Sequence, residues 1–256
     1  MKTPKVAFFD FTCCEGCQLQ VANLGETLLE VLGVVDLVEF RETMSERWEG
    51  VYDIAVVEGS ITTHHDVERI KRIRQRSKVL IAYGSCATLG GINGMKNTFD
   101  LKEIATYVYG DGAKFFPTLL THPVHEVVPV DYFVHGCPVY PPEFLEVLRC
   151  ALLGLPYHVP DVAVCVECKF NENVCFYERG ITCLGPITRA GCNSWCINSG
   201  NICYGCRGMV SNPNEGGFLE VLRKYNVELG FLMKRMDMYN ACRLLKGAEK
   251  IHGEEY

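Results

Sequence analysis

The residues that could do chemistry in this chain are its cysteines, of which there are 15 in 256 residues. The first group is Cys14-Glu15-Gly16-Cys17, Gly84-Ser85-Cys86 and Gly136-Cys137-Pro138. A Cys-x-x-Cys pair brings two thiolates to one metal centre without strain, and Gly16 lets the backbone bend around it. Two more thiolates, Cys86 and Cys137, complete a four-cysteine set, as a cubane iron–sulfur cluster needs. The helix starting near Cys17 is expected to point its amide N–H groups at the site, where their partial charge stabilises an anionic cluster. The competing reading is a thioredoxin-like redox pair at Cys14/Cys17 plus two ordinary buried cysteines. That reading gives no reason for Cys86 and Cys137 to stand at strand ends beside glycines. Cys13 adjoins Cys14, so a Cys13-x-x-x-Cys17 clasp is the alternative. Cys14 is preferred because Cys-x-x-Cys is the commoner clasp.

The second group is Cys165, Cys168, Cys175, Cys183, Cys192, Cys196, Cys203 and Cys206. Cys165/Cys168 and Cys203/Cys206 alone could form a zinc ribbon, as in a zinc-organised interaction module. Four cysteines would then be unexplained, whereas two cubanes use all eight. Ligand sets of two-cluster ferredoxins interleave along the chain, so the pairing stays open. No histidine lies between His158 and His252, which excludes histidine ligation from within this segment. Cys150 and Cys242 read as packed core thiols.

Composition narrows the class. The net charge of −6 argues against a nucleic-acid partner, which would favour a basic face. No secretory or twin-arginine signal is visible, and no apolar stretch reaches the roughly 18 residues of a membrane span. The expected location is cytoplasmic, where disulfides are disfavoured and metal or redox roles favoured.

The elements that must position these thiols alternate. Val6–Phe11, Val35–Phe40, Tyr52–Val57, Lys78–Ala82 and Tyr132–Val134 read as strands. Gln18–Leu32, His65–Arg76 and a segment from Pro141 to about Leu153 read as helices. This order predicts an α/β fold with a doubly wound, mostly parallel sheet. Sites in such sheets form outside the carboxyl ends of the strands, which is where Cys14/Cys17, Glu58, Cys86 and Cys137 should emerge. The stretch between Ala82 and Tyr132 reads as loop-rich. Near residue 158 the composition shifts. The cysteine-rich part beyond cannot bury enough apolar surface by itself, and Phe218–Lys246 returns to helical spacing. The domains predicted are 1–158 and 159–256.

These motifs carry a family resemblance over roughly residues 5 to 208. Its carriers are Cys14-Glu15-Gly16-Cys17, Glu58-Gly59-Ser60, Gly84-Ser85-Cys86-Ala87, Gly136-Cys137-Pro138, the run Cys183-Leu184-Gly185-Pro186-Ile187-Thr188-Arg189-Ala190-Gly191-Cys192, and Cys203-Tyr204-Gly205-Cys206-Arg207-Gly208. The chain resembles the small subunit of cytoplasmic [NiFe] hydrogenases, most closely the delta subunit of NADP-linked sulfhydrogenases or the gamma subunit of F420-reducing enzymes. The resemblance implies a flavodoxin-like first domain with a cluster proximal to the nickel–iron site. It implies a smaller ferredoxin-like iron–sulfur domain with medial and distal clusters, making three [4Fe-4S] clusters in all. The hydrogen-activating site would lie in a separate large subunit. Further partners would be flavin/NAD(P)- or F420-binding and other iron–sulfur subunits, with heterodisulfide- or sulfur-linked electron transfer as the alternative. Glu58 is expected just behind the first site's ligands, or as an oxygen ligand, against the bland reading of a solvated carboxylate. His122, His125 and His135 read as structural, and Arg69–Lys78 as a solvated helix face.

Overall fold

Short runs of valine, isoleucine and phenylalanine bounded by turns form five strands: β1 (Lys5–Asp10), β2 (Asp36–Phe40), β3 (Tyr52–Glu58), β4 (Ser77–Tyr83) and β5 (Tyr132–Val134). The computed structural model describes residues 3–252. All strand pairs are parallel, in the order β2-β1-β3-β4-β5, which is the flavodoxin-like order.

Both sheet faces are covered, as a parallel sheet requires. Val6, Phe8, Ile54, Val56, Ile81 and Tyr83 face one side, with Val21 of α1 (Gly16–Ala22) and Phe144 and Val147 of α6 (Pro141–Leu153). Ala7, Phe9, Ala55, Val57, Leu80 and Ala82 face the other, against Ile70 and Ile73 of α3 (His64–Gln75). Thr63 and Asp66 cap α3 reciprocally, each satisfying an orphan N–H of the first turn.

Three elements differ from expectation. Gln18–Leu32 is two helices, α1 and α2 (Glu26–Leu32), because the chain turns at Gly25 with φ +61°, a conformation that glycine adopts without steric cost. The loop-rich stretch contains α4 (Gly84–Leu89) and α5 (Leu101–Tyr109). Asp100 starts α5 by accepting from Lys102 N and Glu103 N, both at 2.9 Å. The helix buries no residue, yet Leu101, Ile104, Ala105 and Val108 recur at helical spacing, so its one-sided apolar pattern stands in the sequence within a stretch otherwise rich in turn residues. Third, the arginines of α3 are not simply solvated. Arg69 donates to the Asp10 carbonyl, and Arg76 reaches Gly50 O at 2.9 Å across the ring of Tyr52.

Beyond residue 160 regular strands are absent among the described residues. Two isolated bridges, Ala163↔Arg189 and Thr188↔Met209, tie its loops together, and its short helices include α7 (Val164–Phe170) and α8 (Trp195–Asn198). The core of this part mixes Leu184, Ile187, Leu222 and Leu232 with Cys168, Cys183 and Cys203, so thiols stand where a larger domain would place aliphatics. Helices α9 (Glu215–Lys224) and α10 (Leu229–His252) follow. The helical spacing of Phe218–Lys246 is thus interrupted once, where Asn226 takes φ +51°. α10 then leaves this core and packs on α4 and on the 3-10 turn Ile92–Thr98.

Ile81 is fully buried in β4, the interior strand that leads to Cys86. Ile81→Ala should destabilise the protein by about 2–5 kcal/mol through the lost methyl groups and the cavity they leave. The expected readout is a lower denaturant midpoint.

Candidate metal centres

The first four thiols come from three strand ends, as the α/β pattern predicts. β1 leads through Phe11–Cys14 into α1, which buries Cys17. Cys86 lies in α4, directly after β4, and Cys137 follows β5. Cys17, Cys86 and Cys137 face one another, and exposed Cys14 faces Cys86 and Cys137. Cys13 faces Cys86 from the same loop. The backbone closes tightly around these sulfurs. A Cβ on Gly84, at φ +88°, would lie 2.6 Å from Cys17 Sγ, and one on Gly91 would lie 2.8 Å from Cys86 Sγ.

Glu58 ends β3 and is 2% exposed, which removes the reading of a solvated carboxylate. Its Oε1 accepts from Cys17 N at 3.1 Å and its Oε2 from Gln18 N at 2.9 Å. These are the amides expected to point at the site. They instead serve Glu58, which caps α1 and so fixes Cys17. Burial raises the Glu58 carboxyl, and those N–H bonds oppose the rise. Tyr83 adds a second tie, donating from its hydroxyl to Cys17 O at 3.0 Å.

The other eight thiols divide in chain order, without interleaving. Cys165 faces Cys168, Cys175 and Cys183. Cys192, Cys196, Cys203 and Cys206 line one cavity of about 50 Å³. The sets touch in sequence. Cys137, of the first set, also lines that cavity, and its backbone N–H donates to Cys206 Sγ. Cys203 N in turn donates to Cys183 Sγ at 3.3 Å. The contacts run in order: the N-terminal set, then 192/196/203/206, then 165/168/175/183.

The donor chemistry fits iron–sulfur clusters. Burial pushes the Cys86, Cys165 and Cys206 thiols up to about 12, so thiolates here need metal cations among them. N–H groups are already aimed at sulfur: Val139 at Cys17, Gly185 at Cys183, Trp195 at Cys192 and Gly205 at Cys203. Such bonds stabilise thiolate and tune cluster potential.

Several residues had no role assigned from the sequence. Arg207, 1% exposed, lines the middle cavity. Tyr239, from α10, lines it too, and its hydroxyl bonds Cys137. Ser85 Oγ donates to Cys206 O. Arg207 could have been flagged by its place directly after the Cys203–Cys206 pair; Tyr239 has no local signal at all. Of the remaining thiols, Cys150 and Cys242 are buried, and Cys242 Sγ bonds Thr121 O at 3.4 Å. His122 pairs with Glu126 at 2.8 Å. His135 Nδ1 lies 2.8 Å from Thr88 Oγ1, fully enclosed.

Two outcomes follow from this geometry. Glu58→Ala strands two buried N–H groups, at about 1–3 kcal/mol each, whereas Glu58→Gln keeps an acceptor and should lose less in thermal unfolding. Burial holds the His135 imidazole well below its usual 6.5. The folded state must therefore refuse a proton that the unfolded state accepts. Its stability contribution is intact above 6.5 and falls as pH drops below it, by up to about 1.4 kcal/mol per pH unit. Denaturation at pH 7.5 and 5.5 should show this extra acid loss in the wild type and not in His135→Gln.

Comparison with known proteins places this geometry. Residues 14–151 match the family described as NADH ubiquinone oxidoreductase, 20 Kd subunit. The sulfhydrogenase 2 subunit delta of Pyrococcus furiosus is 38% identical over 221 residues, covering 86% of this chain and 92% of the relative. An NAD+-reducing [NiFe]-hydrogenase in the H2-reduced state superposes with TM-score 0.55 at 26% identity, over 62% of this chain and 96% of the other. A [NiFeSe]-hydrogenase of Dm. baculatum shares the fold over 84% of this chain and 97% of its own, with TM-score 0.59 at 18% identity. The chain belongs to the NADH ubiquinone oxidoreductase, 20 Kd subunit family, among the hydrogenase subunits of that family.

Proposed function

We propose that this chain is the electron wire of a cytoplasmic [NiFe] hydrogenase. In this reading it holds three [4Fe-4S] clusters between the hydrogen-activating site of a large subunit and a flavin/NAD(P) module. Residues 1–158 form the flavodoxin-like unit, with the proximal cluster on Cys14, Cys17, Cys86 and Cys137. Residues 159–256 form the ferredoxin-like unit, with the medial cluster on Cys192, Cys196, Cys203 and Cys206 and the distal one on Cys165, Cys168, Cys175 and Cys183. The observation that carries this reading is the ordered contact of the three thiol sets, through Cys137–Cys206 and Cys203–Cys183.

Clusters of this type supply reversible one-electron storage. The chain's own residues do the rest. Glu58 and Tyr83 hold Cys17 in place, amide N–H groups offset thiolate charge, and Leu184, Ile187 and Ile197 keep the inner sulfurs dry. The large subunit would dock beside Cys14. That cysteine is exposed, and the neighbouring segment shows Tyr107 at 87% and Phe115 at 72% exposure. A groove of about 820 Å³ there is lined by Thr12, Asn93, Ile104, Tyr109 and Phe116. Obligate interfaces bury apolar faces of this kind. The NAD+-reducing neighbour favours a flavin/NAD(P) acceptor. The sulfhydrogenase relative favours sulfur-linked transfer as the second reading, in which the thiol sets keep the same roles.

Anaerobically purified complex should contain about twelve irons and twelve labile sulfides per copy of this chain, with a brown colour bleached by dithionite. Cys86→Ser and Cys183→Ser should each remove about four irons and abolish different paramagnetic signals. A colourless protein with one or two zinc ions sinks the proposal. The large subunit should co-purify, and the nucleotide taken by any associated flavoprotein names the acceptor.

A further inference from the structure

Arg207 is among the largest fully buried side chains of the molecule, and its surroundings are specific. Nε donates to Ala190 O at 2.8 Å, and one terminal nitrogen donates to His135 O at 2.7 Å. The two terminal nitrogens grip Glu143 at 2.5 and 2.7 Å in a fork-to-fork pair. Tyr157 donates to the same carboxylate at 3.0 Å. The pair is oriented: Arg207 lines the cavity shared by Cys192, Cys196, Cys203 and Cys206 and its charge acts on Cys192 and Cys206, whereas Glu143 is not among the lining residues. Glu143 stands behind, on α6.

A guanidinium cannot shed its proton in a protein, so a fixed positive charge faces the middle thiol set. Reduction of a cluster there adds one electron to an already anionic group. A nearby cation favours the reduced state, more so in a dry interior where screening is weak. The charge of Arg207 is felt at Cys192, where it favours thiolate, with the Glu167 carboxylate acting in the opposite sense. We propose that Arg207 is a positioning residue that raises the reduction potential of the middle centre, with Glu143 as the counter-charge that limits the rise. This deepens the electron-wire reading and rests on it.

The test is a redox titration of the assembled complex, followed by paramagnetic resonance, in variants whose charges change in opposite senses. Glu143→Gln leaves Arg207 uncompensated and should raise the middle potential. The double variant Arg207→Met/Glu143→Gln removes both charges and should lower it; it leaves no buried charge unpaired, the condition under which ion-pair replacements keep a fold. Each shift should be about tenfold in the reduction equilibrium, which is about 59 mV for one electron. Arg207→Lys keeps the charge without the fork and should stay near wild type. A merely structural clamp would give no shift with the cluster intact, or shifts of one sign in both variants, and either result overturns the inference. If the double variant loses its iron, Glu143→Gln and Arg207→Lys still decide. The underlying reading fails separately: iron unchanged in Cys206→Ser would remove the middle centre itself.

Discussion

A thiolate in a dry protein interior is costly unless positive charge or hydrogen-bond donors surround it. Most of this structure answers that constraint. Desolvation pushes nearly every clustered thiol upward, Cys17 and Cys203 most steeply. The responses are short and local: backbone N–H groups aimed at sulfur, a buried guanidinium beside the middle set, and tight turns that bring the main chain within reach. The parallel sheet contributes by ending β1, β4 and β5 on one side, so that loops distant in sequence deliver their cysteines together.

The junction between the two cysteine-rich regions is held by several buried polar contacts. Cys137 N–H meets Cys206 sulfur, Ser85 reaches Cys206 O, and Arg207 ties residues 135, 143 and 190 together. None of these contacts is large in area. In the proposed electron wire their value is in fixing distance, since electron transfer between centres depends steeply on separation. A hinge here would interrupt the relay, and the buried ion pair is the opposite of a hinge.

Much of this was legible in the sequence. The strand runs, their alternation with helices and the placement of Cys86 and Cys137 after strands follow from periodicity alone, because buried parallel strands are continuously apolar. The grouping of the eight later cysteines was not legible, since spacing permits interleaved and sequential sets equally; only the fold separates Cys183 from Cys192. Glu58 could be singled out by its position but not its role, because the amides it accepts lie 40 and 41 residues away. α5 is legible in the helical spacing of Leu101, Ile104, Ala105 and Val108 even though it buries nothing in this chain, whereas Tyr239 is not, because its partner is over a hundred residues distant.

The course of α10 has a consequence for biosynthesis. Its Cys242 sits against Gly90 and Gly94 and bonds Thr121 O, and its Tyr239 covers Cys137 from the C-terminal end of the chain. Domains generally fold as they leave the ribosome, the N-terminal one first. Here the N-terminal sheet can form early, but its thiol-bearing edge stays uncovered until α10 has been made. An interval therefore follows in which the first thiol set can assemble while still open, and packing of α10 ends it.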